Sequence, residues 1–330
     1  MGKYLVTGIT GFLAPHLAEI LYKNGHEVYG FSRRASGMES DILDAVSPEC
    51  YNAIKFLYGD FCNYQSIEKV FQEHKFDGVF HCGAQSNPPV SLKYPILTWE
   101  TNVMGSLNIF ECIEKYSPST KICFVSTSEV YGNGGSDGHA IKETDMLSPS
   151  NPYGSSKAAI DLYLQERFAN KKLNGFITRA FSHTGVRRGR NFSISSDAYQ
   201  IARIVLGLQD PVVEVGNLET VRVVIDGRDV AEAYYKLMMS AESNGQVFNI
   251  AGYMPRQMGY FTDKLIDFAE EMKPGLKIKK QVSDKYYRPI DIACQIADTK
   301  KVETLIGWAP VIDINDTLKD LLNYWIKKLS

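Results

Sequence analysis

Tyr153 and Lys157 stand four residues apart in the run Pro152-Tyr153-Gly154-Ser155-Ser156-Lys157. On a helix that spacing puts both side chains on one face, one turn apart. An ammonium beside a phenol favours the phenolate, and a cationic nicotinamide would push the same way. A free tyrosine titrates near ~10, so this neighbourhood would suit Tyr153 to act as a general base on an alcohol. Upstream, Val125-Ser126-Thr127-Ser128-Glu129 offers three hydroxyls at the end of an apolar run and a carboxylate two residues past Thr127. Together these groups could oxidise an alcohol with a second acid/base at hand. With 19 tyrosines in 330 residues, the spacing alone also fits an exposed helical pair. Its weight comes from the elements that precede it.

Residues 3–7 form a short apolar strand, followed by Gly8-Ile9-Thr10-Gly11-Phe12-Leu13-Ala14 and a helix expected over 15–24. A second strand over 27–31 completes a strand, glycine turn, helix, strand unit, which is how a dinucleotide-binding fold begins. Gly8 permits the tight turn, Gly11 lets backbone approach a pyrophosphate, and Ala14 stands where a third glycine often does. Backbone N–H groups at the helix start then face phosphate. The second strand ends in Phe31-Ser32-Arg33-Arg34, where NAD-binding units often carry an acid. Two guanidiniums there suit a 2′-phosphate, so NADP is expected, with NAD the alternative.

Further strands are expected over 54–58, 78–82, 122–125 and 175–179, with helices over 66–74, 98–116 and 152–170. This alternation argues for an α/β fold built on a doubly wound parallel sheet. Gly8–Gly11, Gly83–Ser86 and Ser126–Glu129 all follow strand ends, where such sheets bind ligands. Asp60 is placed to meet an adenine edge. Past residue 179 the pattern loosens into shorter strands and helices, with Arg187, Arg188, Arg190, Arg222 and Arg288 in loops. Arginines scattered over loops fit a diphosphate pocket better than a duplex surface.

Composition narrows the class. A net charge of −2 gives no basic field, so nucleic acid is not expected as a partner. No apolar stretch approaches the ~20 residues of a membrane span, and the first residues run straight into a strand without a leader-like segment. No membrane association and a cytoplasmic location are the expectation. The six cysteines are scattered without a C-x-x-C pair, and His81-Cys82 has no second ligand pair at useful spacing, so no metal site is expected.

Thr7-Gly8-x-x-Gly11-x-x-Ala14, Tyr58-Gly59-Asp60, Gly83-Ala84-Gln85-Ser86, Ser126-Thr127-Ser128-Glu129-Val130-Tyr131-Gly132 and Tyr153-x-x-x-Lys157 together resemble the extended short-chain dehydrogenase/reductases. With Arg187-Arg188-Gly189-x-Asn191-Phe192, Gly216-Asn217-Leu218 and Tyr286-Tyr287-Arg288-Pro289, the chain is most similar to the GDP-mannose 4,6-dehydratase group. The resemblance implies a Rossmann domain over 1–180, rejoined by parts of 220–255, and a smaller, interrupted α/β nucleotide-sugar domain mainly over 181–330. It implies that Tyr153 takes the sugar C4 hydroxyl proton, Lys157 orients the nicotinamide ribose, Thr127 holds the C4 oxygen and Glu129 takes the C5 proton. Cofactor contacts are expected from Gly8, Thr10, Gly11, Phe12, Leu13, Arg33, Arg34, Asp60, Phe61, Gly83, Ala84, Gln85 and His183, besides Tyr153 and Lys157. Substrate contacts are expected from Ser86, Ser128, Arg187, Asn191, Gly216, Arg222, Arg288 and Asp291. The implied reaction is 4,6-dehydration of a GDP-sugar by a homodimer or homotetramer.

The sequence departs from the family pattern in two places. Phe181-Ser182-His183-Thr184 replaces Phe-Asn-His-Glu, and Arg222-Val223-Val224 replaces Arg-Asp-Trp. A 4-reductase, 4-epimerase or C4 dehydrogenase on a similar nucleotide sugar is the alternative. A non-catalytic nucleotide-binding module would have no need of Tyr153 with Lys157.

Overall fold

The computed structural model describes residues 1–33, 38–286 and 292–330. Seven parallel strands form the main sheet: β1 (Lys3–Thr7), β2 (Glu27–Ser32), β3 (Lys55–Tyr58), β4 (Gly78–His81), β5 (Lys121–Thr127), β6 (Asn174–Ala180) and β7 (Val247–Ile250), in the order β3-β2-β1-β4-β5-β6-β7. Strands buried on both faces read as nearly unbroken apolar runs, which is why Tyr4-Leu5-Val6 and Ile122-Cys123-Phe124-Val125 show no polar alternation. Strand order reverses between β1 and β4, so the crevice at the carboxyl ends of those strands is where a doubly wound sheet takes its ligand.

Among the described residues, eight longer helices surround this sheet and build a second lobe: α1 (Ala14–Lys23), α2 (Tyr64–Glu73), α3 (Gly105–Tyr116), α4 (Pro152–Ala169), α5 (Ser193–Val205), α6 (Gly227–Met239), α7 (Met258–Met272) and α8 (Ile314–Leu329). Successive strand residues face opposite sides, which divides the core into two layers. Val6, Phe80, Phe176 and Phe248 pack under Leu17 and Leu21 of α1 and Val230, Tyr234 and Leu237 of α6. Leu5, Val79, Ile122, Phe124 and Ile177 pack under Ile67 and Phe71 of α2, Ile109 and Ile113 of α3, and Ile160 and Leu164 of α4. Thus α6 and β7 join the main sheet from late in the chain. A separate core of Ile201, Val213, Phe261, Leu265, Leu318 and Leu322 unites α5, α7 and α8 with the strand Val212–Val215, which pairs with Lys279–Val282.

Two local features position the site. Asn151 caps α4 by accepting from the Gly154 N–H at 2.9 Å, and Pro152 sits at the first turn, where its missing N–H costs nothing. The helix expected over 98–116 is instead a helical run that starts at Pro95 and passes through a π turn, Glu100–Met104, before α3. That wider turn places Asn102 to clamp Gln85 through both backbone groups, at 2.8 and 2.9 Å, while Asn102 also donates to Ser156 of α4. The loop after β4 is thereby fastened to the helix that carries Tyr153 and Lys157.

Candidate active site

One continuous cleft of about 1500 Å³ runs from the glycine turn after β1, across the ends of β4 and β5, into the second lobe. It is larger than the ~300–1,000 Å³ typical of a pocket for one small ligand. Its first section is shaped for backbone approach. Gly8 has φ +68°, and a Cβ there would lie 2.8 Å from the Gly83 Cα. A Cβ on Gly11 would lie 2.9 Å from the Gly8 carbonyl oxygen. The backbone N–H groups of Thr10, Phe12 and Leu13 have no protein acceptor among the described residues. Such a turn at the start of α1 fits a pyrophosphate. Arg33 stands at the end of β2 on the same side, and Asp60 and Phe61 line the wall beyond it.

Lys157 and Tyr153 project from the first two turns of α4, buried to 3% and 9% exposure. The Thr127 hydroxyl faces the Tyr153 phenol and favours its anion, while Glu129 and Arg188 lie close enough to act on it electrostatically. Burial dominates, pushing the phenol up to about 12. The expectation that the lysine would bring it down is corrected here: desolvation of the phenolate raises it, and the Thr127 hydroxyl and Arg188, not Lys157, act in the lowering direction. Burial likewise brings Lys157 down to about 8, with its ammonium over the Phe124 ring at 4.2 Å. Thr127 ends β5, caps the short turn Ser128–Tyr131 and accepts from the Glu129 N–H at 3.3 Å. Asn151 donates to the Glu129 carboxylate at 2.7 Å. A phenol, a hydroxyl and an oriented carboxylate therefore meet at one point of the cleft.

This geometry has relatives. A family model described as GDP-mannose 4,6 dehydratase matches residues 5–321. The chain belongs to the GDP-mannose 4,6-dehydratase family. The GDP-mannose 4,6-dehydratase of Vibrio cholerae is 28% identical, the match covering 97% of this chain and 92% of that protein. The human GDP-mannose 4,6 dehydratase is 26% identical over 97% of this chain and 90% of its own. In fold, the chain matches RMD from Pseudomonas aeruginosa complexed with NADPH at TM-score 0.81 and 24% identity, over 99% of this chain and 100% of that one. UDP-glucose 4-epimerase from Thermotoga maritima matches at TM-score 0.83 and 24% identity, with the same coverage.

Within this member of the family, every described residue expected at the site lines the cleft except Arg187. Arg187 has φ +70°, in the left-handed region, and its guanidinium donates to the carbonyls of Gly11 and Thr10 behind the glycine turn. Arg188 lines the cleft instead. Its guanidinium lies 3.6 Å from the Phe192 ring centroid and 4.9 Å from that of Phe12, and burial brings it down to about 10. Burial, with the same charge second to it, brings His183 down to about 4 and so keeps it neutral, stacked on Phe12 with its Nδ1 on the Phe181 carbonyl. Of the three hydroxyls at the end of β5, only that of Thr127 faces the phenol. Ser126 donates to Asp161, and Ser128 donates to Gln295.

Gly83 and Ala84 line the floor, and Gln85 spends its side chain on Asn87 and Thr98. Ser86 is exposed beside them. In the second lobe, Asn191, Gly216 and Arg222 line the far section. Arg222 donates to the carbonyls of Val221 and Ile292. A Cβ on Gly216 would collide with the Tyr286 carbonyl oxygen, so a glycine lets these two loops cross. Arg34, Arg288 and Asp291 lie outside the described residues. Asn151 is a site residue that sequence reasoning missed, and Arg188 was grouped there with the loop arginines without being assigned a contact. For Asn151 the available sign was Asn-Pro at a helix start, which points to a cap and not to a second task.

Proposed function

We propose that this protein is a GDP-sugar 4,6-dehydratase that keeps an NADP cofactor through its cycle. The observation that carries the reading is the carboxylate of Glu129, held by Asn151 beside the Tyr153–Thr127 pair. An enzyme that only moves hydride at C4 needs the phenol and the hydroxyl; a second acid/base in the same pocket suits removal of the neighbouring C5 proton. When bound, the nicotinamide supplies an acceptor for the C4 hydride and later a donor of the same hydride to C6. Tyr153 takes the C4 hydroxyl proton while Thr127 holds that oxygen. The resulting ketone acidifies C5, Glu129 takes its proton and passes it to the C6 hydroxyl, which leaves as water, and the proton held by Tyr153 goes to C5 as C6 gains the hydride. Lys157 would orient the nicotinamide ribose, and Arg188 brings positive charge to bear on the phenol. The net change is loss of one water with no net oxidation.

The glycine turn, Arg33, Asp60, Phe61 and the loop at Gly83 would hold the cofactor, and Arg222, Gly216 and Asn191 the nucleotide of the substrate. The division into a cofactor domain over 1–180 and a substrate domain mainly over 181–330 is part of this proposal, as is a cytoplasmic location. Among the described residues no helix is long and apolar enough to cross a membrane. A homo-oligomer is supported by the exposed apolar side chains of Ile96, Leu97, Trp99, Met104 and Leu162, which lie on α4 and the helical run before α3. A patch of that kind suits a second copy of the chain.

The test is redox neutrality. With GDP-hexoses and the cofactor-loaded enzyme, a 4-keto-6-deoxy product should form without net change at 340 nm. Stoichiometric turnover of NAD(P)H would replace this reading with a 4-reductase or C4 dehydrogenase, and an epimerised sugar that keeps its C6 hydroxyl with a 4-epimerase.

A further inference from the structure

In the second lobe, α5 carries a carboxylate in an unusual setting. Asp197 is only 7% exposed and lines the far section of the cleft. One of its oxygens accepts from the Thr262 hydroxyl of α7 at 2.7 Å. Among the described residues no lysine or arginine pairs with it, and no donor reaches its other oxygen. That oxygen is also not among the polar atoms sealed inside the fold without a partner. Burial pushes the carboxyl up to about 7. Buried carboxylates are normally paired, so one left open toward a ligand cleft is suited to a ligand that brings its own donors. Around it, Ile194 of α5, Val215 and Leu218 of the adjoining strand and loop, and Met258 of α7 supply apolar walls.

The glycine turn lies at one end of the cleft and the catalytic groups at its middle, so this far section falls to the nucleoside of the substrate. We propose that Asp197 reads the nucleobase, accepting hydrogen bonds from the N1–H and N2–H groups of guanine. An ionised carboxylate only accepts, so it selects an edge made of donors. Of the four common bases, guanine alone presents two adjacent donors on its pairing edge. Uracil sets a carbonyl on each side of its N3–H, while cytosine and adenine set an acceptor beside a single amino group. Thr262 holds the carboxylate in place and leaves its second oxygen to the base. This inference rests on the GDP-sugar reading and assigns its base selectivity to a residue.

Hypoxanthine, which lacks the N2 amino group, is the discriminating probe. Calorimetric titration of the full-length, NADP-loaded protein should show GDP binding about 10-fold or more tighter than IDP, as expected for one hydrogen bond to a charged group. Asp197→Asn should weaken GDP by a similar factor and bring GDP and IDP within about twofold, leaving the NADP affinity unchanged. Wild-type protein that binds GDP and IDP within twofold, or a folded Asp197→Asn protein that keeps the wild-type GDP-to-IDP ratio, overturns the role of Asp197 while the GDP-sugar reading stands. Binding of UDP, CDP or ADP in preference to GDP would remove that reading and this one with it. If the variant does not fold, the wild-type ratio decides.

Discussion

Asn151 performs two tasks with one side chain, and a single substitution separates them. Its Oδ1 accepts from Gly154 N–H and caps α4, while its Nδ2 donates to Glu129 at 2.7 Å. Serine is as good an N-cap as asparagine, so Asn151→Ser should keep α4 in place and hold stability within about 0.5 kcal/mol of wild type. Serine is too short to span the remaining distance to the carboxylate. Glu129 then loses a hydrogen bond to an ionised group, worth about 1.5–3 kcal/mol. At 1.4 kcal/mol per decade, deoxysugar formation should slow by roughly 10- to 100-fold if the bond serves the C5 step. The hydride step at C4 depends on Tyr153, Thr127 and Lys157, none of which bonds Asn151. A single-turnover trace at 340 nm should therefore rise at close to the wild-type rate and decay slowly. A thermal midpoint that falls in step with activity, or an unchanged decay, would refute the separation. Equal slowing of rise and decay would refute the assignment of Glu129 to C5.

Three other perturbations probe the same site and its support. Tyr153→Phe should abolish turnover while GDP-sugar binding, followed by calorimetry, stays within a few-fold; retained turnover would remove the phenol as base. Lys157→Met should destroy activity and yet stabilise the cofactor-free protein at pH 7. The lysine drops from 10.5 to about 8 on folding, so the unfolded chain holds the extra proton between those values. Wild-type stability should rise as pH climbs from about 8 to 10.5, and the penalty below that window is on the order of 3 kcal/mol. Urea midpoints at pH 7 and pH 10.5 would show it, and a methionine variant no more stable than wild type at pH 7 would contradict it. Asp161→Asn should cost about 3–5 kcal/mol, because it strands the fully buried Arg179 guanidinium, whose Nη2 lies 2.8 Å from the carboxylate. A loss below about 1 kcal/mol in denaturant titration would show that Tyr131 and the Glu143 carbonyl, which also accept from Arg179, carry that charge unaided.

The parts of this fold legible in the sequence are those where one physical cause acts alone. Double burial wrote the parallel strands as apolar runs, and the turn at Gly8 needs a left-handed residue whose Cβ would strike Gly83. The helix starts after Asn87 and Tyr94 went unread in the sequence. Pro88 and Pro95 occupy first-turn positions there, and Asn87 caps its helix by accepting from Val90 N–H at 3.0 Å. The strand Cys294–Ala297 was invisible because it is short and gains its place from partners far away, pairing with residues 140–141 and with the strand Val221–Val223.

The site divides along the same line. Spacing read together with the elements that precede it located Tyr153, Lys157, Thr127 and Glu129, since one helix and one strand end hold all four. It could not choose between Arg187 and Arg188, because the choice depends on a left-handed φ at Arg187 that turns adjacent side chains to opposite sides of the glycine turn. Nor could it set the tyrosine's acidity. That quantity is a competition between burial, which belongs to the whole fold, and charge, which belongs to neighbours, and here burial wins in the free protein. Arg188 reaches the phenol from 35 residues along the chain, and Lys157 is half deprotonated near pH 8. Activation of Tyr153 is therefore not a fixed property of the Tyr-x-x-x-Lys pair. It depends on how much positive charge the filled cleft gathers around a buried oxygen, which ties the base strength of this enzyme to the occupancy of its own site.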